Sequence, residues 1–102
     1  MPATFSAIQS QVFTPQCALS GCHAGTETPN LSAGVAYNNI VNVASTQTLD
    51  YIEPGNSTTS YLYKKLTGSG IVGNAMPRGG AALSTARLDS IRAWIDRGAA
   101  NN

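Results

Sequence analysis

The sequence predicts an all-α, loop-rich fold of one small domain, and three observations carry that expectation. Apolar residues recur at helical spacing in short separate stretches, no stretch alternates as a sheet strand would, and ten glycines and five prolines punctuate the chain. At 102 residues there is room for one core, so 1–102 reads as a single domain with its core over about 4–98. The apolar fraction of 42% is ordinary for a globular protein and argues against disorder. A chain this small with such long loops needs a staple to supplement its core.

The elements follow in order. Phe5, Ile8, Val12 and Phe13 form a helical stripe behind a cap at Thr4, and the helix should end near Pro15. A second helix should follow Asn30-Leu31-Ser32, with Val35, Ala36, Ile40 and Val41 buried; Gly34, Asn38 and Asn39 work against it. Pro54-Gly55-Asn56 is a turn, leading into a short helix within Ser57 to Leu66 that carries Tyr61, Leu62, Lys65 and Leu66. Gly68, Gly70, Gly73, Gly79 and Gly80 mark an extended, tightly turning loop. The last helix is the clearest: Ser84 caps it, Leu88, Ile91, Trp94 and Ile95 form one face, and Gly98 stops it.

A formal charge of +1 with only 11% charged residues gives no reason to expect nucleic acid or an anionic membrane as partner. No apolar run approaches the roughly 20 residues of a membrane span. There is also no basic start followed by an apolar stretch, so the sequence reads as carrying no signal peptide.

The chemistry concentrates in Cys17-Ala-Leu-Ser-Gly-Cys22-His23, which holds every cysteine and the sole histidine of the chain. A cysteine pair closed by Cys-His is the attachment signal of c-type haem: both thiols add to haem vinyl groups and the histidine ligates iron. Covalent haem would be the staple that this chain needs. Three plainer readings compete. They are a disulfide loop in an exported protein, a partial zinc site with three of the usual four ligands, and a catalytic Cys–His pair. Spacing is the oddity, since the common motif leaves two residues between the cysteines and this one leaves four. On a helix, three residues apart is about 300° and five apart about 140° after a full turn, so the backbone must bulge, with Ser20 and Gly21 suited to it.

Met1 and Met76 are the only thioethers, and Met1 is terminal. Met76 stands in Asn-Ala-Met-Pro-Arg-Gly-Gly after the apolar pair Ile71-Val72, where Pro77 favours extended backbone and the glycines allow close approach to a flat ligand. It is the candidate sixth ligand of the iron, against the plainer role of filling a core gap.

Several segments now make the chain resemble the small monohaem class I cytochromes c, especially the planctomycete-type cytochrome c domains. They are Phe13-Thr14-Pro15 before the motif, Asn30-Leu31-Ser32 after it, Pro54-Gly55-Asn56 with Ser60-Tyr61-Leu62, Met-Pro-x-Gly-Gly at 76–80, and Trp94-Ile95-Asp96-Arg97-Gly98-Ala99. The resemblance implies a small loop-rich fold wrapped around one covalent haem c, thioethers at Cys17 and Cys22, His23 as proximal and Met76 as distal ligand. It also implies N- and C-terminal helices that cross and pack through Phe5, Ile8, Ile91 and Ile95. The four-residue gap departs from the family; similar spacing is known in some multihaem cytochromes of sulfate-reducing bacteria.

Leu31, Tyr37, Ile40, Leu66, Ile71 and Leu83 are candidates for packing on the haem faces, and Arg78, Tyr51 and Trp94 for donating to its propionates. Lys64 and Lys65 read as a solvated face. The expected function is transfer of one electron between exported redox partner proteins. His and Met together saturate the iron, and the sole histidine is used, so no enzyme is expected. A haem-based gas sensor in which Met76 leaves, and a cytochrome domain of a larger oxidoreductase, are the alternatives. Thioether attachment takes place outside the bacterial inner membrane, so Met1 reads as an added residue heading a mature periplasmic or otherwise exported segment. Two propionates would leave the haem protein near neutral or slightly acidic, with weak long-range steering of its partners.

Overall fold

Thr4 opens the first element. Its hydroxyl accepts from the Ala7 amide at 3.3 Å and starts helix α1, Phe5–Ile8, in the computed structural model, which describes residues 1–77 and 79–102. Helix α1 runs directly into a π-helical segment, Gln9–Cys17, with Pro15 inside it. The expected stop at Pro15 is therefore corrected. A proline ring clashes with the carbonyl four residues back in an α-helix, whereas here the turn is wider, as in the 2.6 Å bond from Ala18 N to Phe13 O. The consequence matters for the site, because helical backbone now reaches Cys17.

The second helix is shorter than its stripe suggested. Gly34 takes φ +88° and Val35 lies outside the helix, so α2 spans only Ala36–Ile40. Ala36 and Ile40 are buried, but Val35 is 43% exposed. Val41 has extended backbone and bridges Ile52, one of two isolated β-bridges; among the described residues there is no strand. A 3₁₀ turn, Ser57–Thr59, then leads into α3, Tyr61–Thr67, which Gly68 ends in the left-handed region at φ +77°. The last helix, α4, spans Thr85–Asp96 with Ser84 as its cap, accepting from Arg87 N. No helix among the described residues is long and apolar enough to cross a membrane.

The two ends of the chain meet through side chains. Ile8, Val12 and Phe13 share one core with Ile91, Trp94 and Ile95, and the Phe5 ring lies 5.6 Å from that of Trp94 and 5.2 Å from that of Tyr37. Polar bonds fasten the same junction: Arg87 donates to Gln11 O at 3.0 Å, Ser90 to Met1 O at 2.6 Å, and Phe5 N to Asn102 Oδ1 at 2.9 Å. At the other end of α4, Asp96 accepts from Ser57 N at 2.9 Å and Ile95 O from Gly55 N at 2.7 Å, which anchors the turn ahead of α3. The helical frame thereby fixes both the end of the π-helix and α3, the two elements that border the site.

Candidate functional site

A cavity of about 410 Å³ lies between the stretch 13–31 and the stretch 61–77, with Thr46, Gln47 and Tyr51 completing its wall. That volume falls within the roughly 300–1,000 Å³ range of small-molecule and cofactor sites. Cys17, Cys22, His23 and Met76 all border it. Four residues expected to act on one ligand, drawn from segments more than fifty positions apart, thus face a single space.

The Cys-His segment has a defined conformation. His23 N donates to Cys17 O at 3.0 Å, so the intervening residues loop out, with Gly21 at φ +79°. Ser20 is exposed, Leu19 is 45% exposed, and Leu19 and Gly21 touch the cavity edge. Both cysteines are free thiols. Cys22 is exposed. Cys17 is buried, and burial first, then the neighbouring Cys22, pushes its thiol up to about 11.

His23 is oriented by a carbonyl. Its Nδ1 lies 2.9 Å from Pro29 O, and since a carbonyl only accepts, Nδ1 must carry the proton. Nε2 of the neutral ring is then left with a lone pair. This is how metal-binding histidines are usually held, with one ring nitrogen on a backbone acceptor and the other available to the metal. Two further bonds, Leu31 N to His23 O at 2.7 Å and Glu27 N to Cys22 O at 2.8 Å, close the loop that brings Pro29 back.

Met76 is tied to α3, its amide donating to Lys65 O at 2.8 Å. The Lys65 ammonium donates to Val72 O at 3.1 Å and Asn74 O at 2.6 Å, and the Tyr61 hydroxyl accepts from Val72 N at 3.1 Å. Lys65 is half-buried, and its ammonium is engaged by the loop as well as facing the solvent that its charge alone suggested. The glycine-rich loop offers bare carbonyls that its ammonium satisfies.

Among the other expected pocket residues, Leu31, Tyr51 and Leu66 line the cavity. Tyr37, Ile40, Ile71, Leu83 and Trp94 do not. Tyr37 donates to Ala99 O at 2.6 Å and packs on Phe5, and Trp94 donates to Ala100 O at 2.9 Å at 2% exposure. Each polar tip is thus used to hold the C-terminus against the core. Ile40 belongs to the central core, and Leu83 lines a smaller cavity beside Arg87. Arg78 lies outside the described residues. Sequence reasoning missed the roles of Pro29, Tyr61 and Lys65. The last two carried a readable signal, standing four apart on one helix face; nothing local marked the Pro29 carbonyl.

Among the described residues no group of three or more His, Cys, Asp or Glu is placed to hold a metal ion, which leaves the zinc reading without a ligand set. No family model matches the chain, and neither the curated proteins nor the solved structures searched contain a match to it.

Proposed function

We propose that this chain is a monohaem c-type cytochrome that carries one electron between redox partner proteins in an exported bacterial compartment, and is not an enzyme. The observation that carries the proposal is the His23 ring, held through Nδ1 at 2.9 Å from Pro29 O and bordering the same cavity as Cys17, Cys22 and Met76. The residues fit the group. Cys17 and Cys22 would hold it through thioethers, His23 Nε2 and the Met76 sulfur would be donors to its iron, and the small cytochrome c fold would be the wrapping of these loops around it.

When bound, the haem supplies the one-electron iron couple. The chain does the rest. Phe13, Leu31, Leu62 and Leu66 line the cavity with apolar surface and exclude water, which favours the less charged state of a buried centre. Met76 would supply a thioether donor, which favours ferrous iron and raises the potential. Leu19 and Val72 border the cavity while 45% and 64% exposed, and so offer an apolar rim at which a partner can approach. With a formal charge of +1 on the polypeptide, that approach gains little from long-range steering.

Intact mass under denaturing conditions tests the proposal, using protein made in cells that mature cytochromes c. The expected mass is that of the polypeptide plus one haem. An apo mass with a Cys17–Cys22 disulfide overturns it. Electron transfer is favoured over gas sensing by the bonds that fasten the Met76 loop to α3, and carbon monoxide should leave the visible spectrum of the reduced protein unchanged.

A further inference from the structure

We propose that Lys65, assisted by Tyr61, is the positioning residue that fastens the Met76 loop over the cavity and thereby sets how readily a competing ligand reaches the sixth position of the iron. This rests on the haem reading. Among the described residues, the hydrogen bonds tying 69–76 to the rest of the fold come from these two side chains and the Lys65 carbonyl. The loop has no regular structure of its own, and Gly70 and Gly73 take positive φ. Backbone with so much freedom stays in one place only if something outside it supplies partners.

Lys65 is suited to that task. An ammonium has three donors on a flexible stem, and here it meets two carbonyls two residues apart. A Cβ built on Gly73 would sit 3.8 Å from Nζ, so the loop wraps the charge closely. Tyr61 stands one helical turn earlier on α3 and receives the Val72 amide. Both side chains also line the cavity, so losing them would loosen the wall that carries Met76 and not a remote surface.

Lys65→Met keeps the apolar stem and removes the donors, whereas Lys65→Arg keeps the charge and the hydrogen bonding. Imidazole binding to the ferric haem protein, followed by its spectrum, is the first readout. Loss of charge-assisted bonds should raise imidazole affinity about tenfold or more in Lys65→Met, with Lys65→Arg close to the parent. Tyr61→Phe should move it the same way by less. The second readout is amide hydrogen exchange, which should speed up at Val72 and Met76 in Lys65→Met while α4 is unchanged. Unchanged imidazole affinity and unchanged exchange in a haem-loaded Lys65→Met overturn this inference and leave the haem reading intact. A parent protein that carries no haem overturns both.

Discussion

The amide of His23 donates to the carbonyl of Cys17 at 3.0 Å across an interval of six residues. Had the cysteines the common two-residue spacing, the same two groups would be four residues apart, and their bond would be that of an ordinary α-helical turn. The fold thus keeps the pairing between first cysteine and histidine and expels the surplus residues as a loop, with Gly21 in the left-handed region. The longer gap is accommodated locally, and His23 still reaches Pro29.

Deleting Ser20 and Gly21 should therefore preserve the site. With the gap shortened, the Cys17–His23 bond becomes an i to i+4 bond, and two residues whose ordering costs roughly 1–2 kcal/mol each are gone. The expected result is a protein with the same covalent haem by mass and the same axial ligands by spectrum. Because Leu19 and Gly21 touch the cavity edge, a modest shift in potential is compatible with this. Loss of haem attachment would show that the surrounding fold depends on the longer gap.

Met76→Ala should lower the reduction potential and open the iron to carbon monoxide. Met1 is the only other thioether in the chain and does not line the cavity, so it offers no replacement sulfur there. Redox titration and a carbon monoxide difference spectrum check this. An unchanged potential with an unchanged ferric spectrum would mean that Met76 only fills space.

What the sequence disclosed, and what it hid, follows from the range of the interactions. The last helix was legible because Ser84, the Ile91-Trp94-Ile95 face and Gly98 are all local signals, and the structure uses each of them. Pro15 misled because the rule against proline assumes α-helical pairing, which the π-helical segment does not use. Val35 misled because one left-handed glycine, Gly34, shortened the helix and left it outside. Chemical type alone suggests Tyr37 and Trp94 as pocket residues, but their tips are committed to the C-terminal carbonyls of Ala99 and Ala100. The Pro29 carbonyl at His23 depends on a chain reversal over six residues, a geometry that no composition or period encodes.

Ser60→Ala should destabilise the fold by about 2 kcal/mol, the cost of leaving a buried donor without its partner. Ser60 is fully buried; its hydroxyl accepts from Glu53 N at 2.9 Å and donates to Asn56 O at 2.8 Å. It stitches the turn ahead of α3 to the start of that helix, so the loss should also loosen the α3 wall of the cavity. Denaturant unfolding measures the first effect. A change under about 0.5 kcal/mol, the usual range of surface substitutions, would show that the turn holds without this hydroxyl.

The two thiols should differ sharply in the haem-free, reduced chain. Cys22 is exposed and Cys17 buried, so iodoacetamide should modify Cys22 first, Cys17 following only on opening or at high pH. Burial raises the folded Cys17 value from 9.0 to about 11. Between those values the unfolded chain has released a proton that the folded chain still holds, so stability falls as pH rises through this window, by about 3 kcal/mol. It is fully present below pH 9, where both states are protonated. Thioether formation removes the titrating group altogether. The haem protein should therefore lack this Cys17-dependent loss of stability between pH 9 and 11, and replacing Cys17 with Ala in the haem-free chain should abolish it as well. Persistence of the full pH dependence in Cys17→Ala would assign it to another group.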